Sequence, residues 1–151
     1  MDIFDVNWLA VFLGGCAAFL FSGLYYGPLL GRKWKAESGA DATSADARGA
    51  DVTTDNQKSD NQTSDAVIYG SIFAFALLIS WTIAHTYESY MRELSVIVKI
   101  LTAFGVGIGF VLPAIGITYL MMRKSAALFF IDLGHWIIFF IIIGAVHAAL
   151  G

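Results

Sequence analysis

Asp132 is the one carboxylate within the long apolar stretches of this chain, and His135 follows it three residues later. On a helix, residues three apart share a face. A carboxylate beside an imidazole in an apolar span can relay a proton or hold a cation. At 1.5 Å per residue, Asp132 lies about 12 Å along its helix from Lys124, below the headgroup level. Tyr25, Tyr26 and Tyr119 are expected at a similar depth, so a purely structural hydrogen bond from one of them to Asp132 is the competing reading. The isolation of the pair favours that structural reading. His85 and His147 fall near the ends of their spans and could share a metal with Glu88 or Glu93, but no HxxxH or HxH spacing supports it. They are read as interfacial polar residues, and no metal or cofactor site is expected. Cys16 is the only cysteine, which leaves no disulfide or CxxC pair to build and makes it a packing residue.

The elements that must hold these groups are membrane helices. Of the 151 residues, 58% are hydrophobic and 14% charged, against roughly 45–50% and about 25% in soluble domains. A net charge of −3 argues against nucleic acid as a partner. Neither a GxxxxGK[ST] loop nor an HExxH pair occurs, which sets aside a nucleotide-driven pump and a zinc protease of that type. Asp2 and Asp5 stand where a signal peptide would carry basic residues, so the first apolar stretch is kept as a helix.

Four stretches, about 6–28, 66–87, 99–122 and 125–149, are long enough to span a bilayer. Backbone groups in lipid must bond within their own segment, so each is predicted to be a helix, and the whole an all-α polytopic bundle forming a single membrane domain. Gly27-Pro28 is expected to end or bend the first helix. Residues 37–65, rich in Asp, Ser, Thr, Asn and Ala, read as a disordered acidic linker. Seven Lys and Arg fall in the first and third connections and two, Arg92 and Lys99, in the second. By the positive-inside rule both termini are expected on the periplasmic side of a bacterial inner membrane, with residues 32–65 cytoplasmic. Trp8, Tyr25, Tyr26, Trp34, Tyr69, Trp81, Tyr87 and Tyr119 are expected to form interfacial belts.

Helix association inside lipid relies on small residues that allow close approach. The first helix offers Ala10, Gly14, Ala18 and Ser22 at four-residue spacing, the second Ala66, Gly70 and Ala74, and the third Gly105 and Gly109. Packing within the bundle is the preferred use of these stripes, a dimer face the alternative. Pro113 should kink the third helix where Gly109, four residues back, leaves room.

Three segments carry a resemblance: Asn7-Trp8-Leu9-Ala10-Val11; Tyr26-Gly27-Pro28-Leu29 with Gly31 and Trp34; and Gly105 to Phe110, with its alternating glycines. Together they are similar to the bacterial domain-of-unknown-function family 1761, small four-helix integral membrane proteins. Leu30 departs from the pattern, which has an aromatic there. The resemblance implies the four-helix fold and imports no activity.

Two roles follow from the residues. The first is a non-catalytic accessory or structural subunit, with the bilayer and a larger membrane complex or a second copy as partners. The alternative is a small proton-coupled transporter or channel using Asp132 and His135. An enzyme acting on lipid ranks last.

Overall fold

The computed structural model describes residues 6–39 and 65–150. Most of the expected linker at 37–65 therefore lies outside the described residues. At its edges, Glu37 and Ser38 close a short helix, and Asp65 opens the next one.

The elements are α1 (Trp8–Leu24), α2 (Gly31–Ser38), α3 (Asp65–Tyr90), α4 (Val96–Val106), α5 (Leu112–Met121) and α6 (Ala126–Leu150). Wider π-helical turns at Tyr25–Leu29 and Gly107–Val111 prolong α1 and join α4 to α5. Four helices are long and apolar enough to cross a membrane: Trp8–Leu29, Ala66–Tyr90, Val96–Met121 and Ala126–Leu150. Among the described residues there is no strand, and the chain is an all-α membrane protein of four long helices.

Both prolines are accommodated by π turns. Pro28 lies inside the first, whose wide loop is closed by Leu30 N–H donating to the Tyr25 carbonyl at 2.9 Å. Pro113 stands second in α5, just past the other, so the bond its missing N–H would have made is surrendered where the ladder is already interrupted.

The bundle is organised on α6. Helices α1 and α4 pack along it, α3 leans mainly on α1, and α5 returns beside it. Ala18, Ala76, Ile83, Tyr87, Phe139, Phe140 and Ile143 form the apolar centre. Asn7 caps α1, accepting from Ala10 N–H, and its amide donates to the Leu150 carbonyl at 2.8 Å, which ties the start of α1 to the end of α6.

The small-residue stripes divide. Ala10, Gly14, Ala18 and Ser22 are all buried, as expected. Ala66, Gly70 and Ala74 are exposed, and so are Gly105 and Gly109. Each of these two helices carries a second stripe that the chain uses instead. On α3 it is Ala76, Ser80 and Ala84; on the third span it is Ala103 and Gly107, buried against α6. Four-residue spacing identifies a smooth face but cannot choose between two on the same helix; the partner's own relief makes that choice. The closest approach between two spans at a glycine is at Gly144, where an added Cβ would stand 2.5 Å from the Cβ of Ala103.

Candidate functional site

Asp132 is 7% exposed and held from two helices. The Tyr26 hydroxyl donates to Oδ1 at 2.7 Å, and the Tyr119 hydroxyl donates to Oδ2. The π turn that contains Pro28 also carries Tyr25 and Tyr26. Its two tyrosines diverge in their bonding: Tyr25 donates to the Ile131 carbonyl at 2.9 Å, while Tyr26 reaches the carboxyl group.

Tyr119 is positioned by the turn between α5 and α6. Arg123 there has a left-handed φ of 53°. Its N–H donates to the Leu120 carbonyl, and Lys124 N–H donates to the Tyr119 carbonyl, which is the two-bond pattern that closes a helix over a left-handed residue. The chain thus reverses within a few residues and sets Tyr119 opposite Asp132. Ser125 then caps α6, accepting from Leu128 N–H at 3.1 Å, and its hydroxyl donates to Glu37 at 2.5 Å, pinning α2 over this end of the bundle.

A crevice of about 730 Å³ opens beside Asp132. Its walls come from α3 at Ile68, Tyr69 and Ile72 and from α5 at Ala114, Ile115 and Thr118, which have no packed interface with one another. Trp136 lies beside Asp132 on α6, and Trp34 and Lys35 stand at the α2 end. Tyr69 is 59% exposed, so the crevice is open to the outside of the bundle along α3. The size and the mostly apolar lining with a few converging polar groups are those of small-ligand sites.

His135 does not join Asp132. Its Nε2 lies 2.8 Å from the Ser22 hydroxyl, which also donates to the Ala18 carbonyl at 2.9 Å. With the single hydroxyl hydrogen used there, the ring N–H is the donor to Ser22. Nδ1 then holds a lone pair with no partner among the described residues. Phe21, Tyr25, Tyr26, Trp136 and Phe139 enclose the ring at centroid separations of 4.6–5.7 Å.

A second serine–histidine pair holds the far end. His147 Nε2 lies 2.9 Å from Ser80, which donates to the Val11 carbonyl at 2.8 Å. His147, expected at the interface, is therefore buried at 3% exposure, because it links α6 to α3. His85 instead stacks on Trp81. Among the described residues no three His, Cys, Asp or Glu side chains converge as a metal site would require.

Other expectations are corrected by burial. Tyr25 and Tyr87 are buried within the bundle, where their hydroxyls serve the carbonyls of Ile131 and Lys99. Lys99, counted as a loop residue in the sequence, lies in α4 and is buried, its ammonium 6.0 Å from the Tyr87 ring centroid. Ser80 was missed as a site residue. The signal was available, since a serine and a histidine at matching depth in otherwise apolar spans are natural bonding partners.

No curated protein and no solved structure matches this chain. A family model described as "Protein of unknown function (DUF1761)" matches residues 9–148. That range takes in the four spans, save the outermost residues of the first and last, together with Tyr26, Tyr119, Asp132 and both serine–histidine pairs, and the chain belongs to the DUF1761 family.

Proposed function

We propose that the protein binds a small ligand from within the bilayer, in the crevice floored by Asp132, and acts as a small proton-linked transporter or channel without a catalytic role. The observation that carries this reading is a buried carboxylate opening on a lateral crevice of about 730 Å³. Structural hydrogen bonds alone account for Asp132 meeting Tyr26 and Tyr119; they do not account for a ligand-sized space beside it. Intramembrane acids facing such spaces mark substrate and proton pathways. The proton path runs through Asp132 and its two tyrosines, and His135 acts separately as a clamp on α1. Proteoliposomes loaded with a pH-sensitive dye test the reading. Proton flux under a pH gradient should exceed that of empty vesicles and fall at least tenfold in Asp132→Asn. Equal flux in wild type, variant and empty vesicles sinks the transport role.

A second reading, an accessory subunit, has its own observation: Gly70 on α3, and Gly105 and Gly109 on the third span, are exposed with no atom near the position of an added side chain. Such faces suit a partner helix. A stoichiometric partner recovered on purification from native membranes would favour this role over the first.

We place residues 32–65 in the cytoplasm and both ends of the chain on the outer side of a bacterial inner membrane, on the seven Lys and Arg of the first and third connections against Arg92 in the second, Lys99 lying within α4. In a Cys16→Ala background, a Ser59→Cys thiol should stay unlabelled by an impermeant maleimide in intact cells and label after lysis. Labelling without lysis reverses the orientation.

A further inference from the structure

Asp132 is a buried acid without a fixed counter-ion. Among the described residues no Lys, Arg or His nitrogen lies within ion-pair distance of it, the one ion pair there being Arg92 with Glu88. The groups that face it are Tyr25 and Tyr26 from the end of α1, Tyr119 from α5, His135 on its own helix, and Lys35 from α2 at the crevice rim. The tyrosines bring hydroxyls and no charge. His135 is turned to Ser22, and Lys35 is exposed.

A carboxylate accepts about four hydrogen bonds, so two tyrosine donors leave capacity on both oxygens. A carboxylate so placed is favoured by an opposite charge close by, and the crevice beside it has room for an occupant that brings one.

The crevice indicates what kind of occupant. A metal ion would need several further strong ligands, and among the described residues no three His, Cys, Asp or Glu side chains converge there. The walls instead offer aromatic faces at Trp34, Tyr69 and Trp136 and aliphatic surface at Ile68, Ile72 and Ile115. Aromatic faces attract cations that are weakly hydrated, and the volume suits a body of several rings.

We propose that this crevice binds hydrophobic organic cations, of the ammonium or phosphonium type, with the charge against Asp132 and the apolar body between α3 and α5. This rests on the ligand-binding reading above and assigns its ligand class.

Equilibrium dialysis of the full chain in nanodiscs tests it, with tetraphenylphosphonium as probe, neutral triphenylphosphine oxide as control, and empty nanodiscs subtracted. The cation should bind saturably and at least tenfold tighter than the neutral compound. Asp132→Asn should weaken binding at least tenfold. Ala114→Trp, which fills the crevice and leaves the carboxylate in place, should do the same, so the outcome does not hang on one variant's folding. If both compounds bind alike, Asp132→Asn is silent and Ala114→Trp blocks both, the cation assignment is overturned and the ligand-binding reading stands. If neither binds above empty nanodiscs, both fall. Cation binding indifferent to both substitutions lies elsewhere and overturns the proposal.

Discussion

Gly144→Ala is expected to lower the thermal stability of the purified protein in detergent, although alanine is the better helix former. In an open helix that exchange gains up to about 1 kcal/mol. Here the added methyl would meet the Ala103 Cβ at 2.5 Å and the Tyr87 hydroxyl at 3.0 Å. Ala103 Cβ is bonded directly to the backbone of α4 and cannot swing aside, so α4 and α6 must separate. Overpacking of this kind costs about 1–3 kcal/mol. The strain also reaches the Tyr87 hydroxyl, which donates to the Lys99 carbonyl from the same contact. Ala103→Gly should recover part of the loss in the double variant, because it removes the atom in conflict. Gly105→Ala and Gly109→Ala, with nothing within 4 Å of the added methyl, should leave melting unchanged or raise it. Melting of Gly144→Ala at or above the wild-type temperature would show that the two helices do not meet this closely.

Asp132→Leu should be the most damaging change at the candidate site. It leaves the hydroxyls of Tyr26 and Tyr119 without their acceptor in a part-buried position. Each stranded hydroxyl costs about 1–3 kcal/mol. Asp132→Asn keeps an acceptor for one tyrosine and offers the other an N–H that its oxygen can receive, so it should fold and melt near the wild type. The same logic predicts a rescue: in the Asp132→Leu background, changing both tyrosines to phenylalanine removes the orphaned groups and should restore much of the stability. A double-mutant cycle between Asp132→Asn and Tyr26→Phe measures the coupling directly. If the leucine and asparagine variants melt alike, the two tyrosine bonds contribute nothing to the fold.

The four spans were legible in the sequence because lipid imposes a requirement on every residue of a span, and long charge-free runs meet it visibly. The α1 stripe was legible for a related reason: Ala10, Gly14, Ala18 and Ser22 have no rival on that helix. On α3 and the third span rivals existed, and the choice depended on reliefs such as Gly144 that belong to another helix. Around Asp132, depth alone offered Tyr25, Tyr26 and Tyr119 as alternatives, of which Tyr26 and Tyr119 bond the acid. Which of them bonds the acid depends on the π turn at Tyr25–Leu29, since its wider geometry sends Tyr25 to a backbone carbonyl and Tyr26 to the carboxyl group. That His135 would turn to Ser22 could not be read from a three-residue separation, which fixes a shared face but not a shared partner.

The arrangement of the bundle around α6 has a consequence for biogenesis. Tyr25, Tyr26, Ser22, Ser80 and Tyr119 all find partners on that one helix, the last of the four to leave the ribosome. Synthesis at about 5–20 residues per second separates the end of α1 from the start of α6 by roughly 5–20 s. Until α6 is made, the hydroxyls of Tyr25, Tyr26 and Tyr119 lack the partners they hold in the finished bundle, while Ser22 and Ser80 have only the α1 carbonyls of Ala18 and Val11. The unfinished protein is thus a natural client for membrane chaperones and proteases, and a ribosome stalled before Ala126 would release a product marked for degradation by its own unmet hydroxyls.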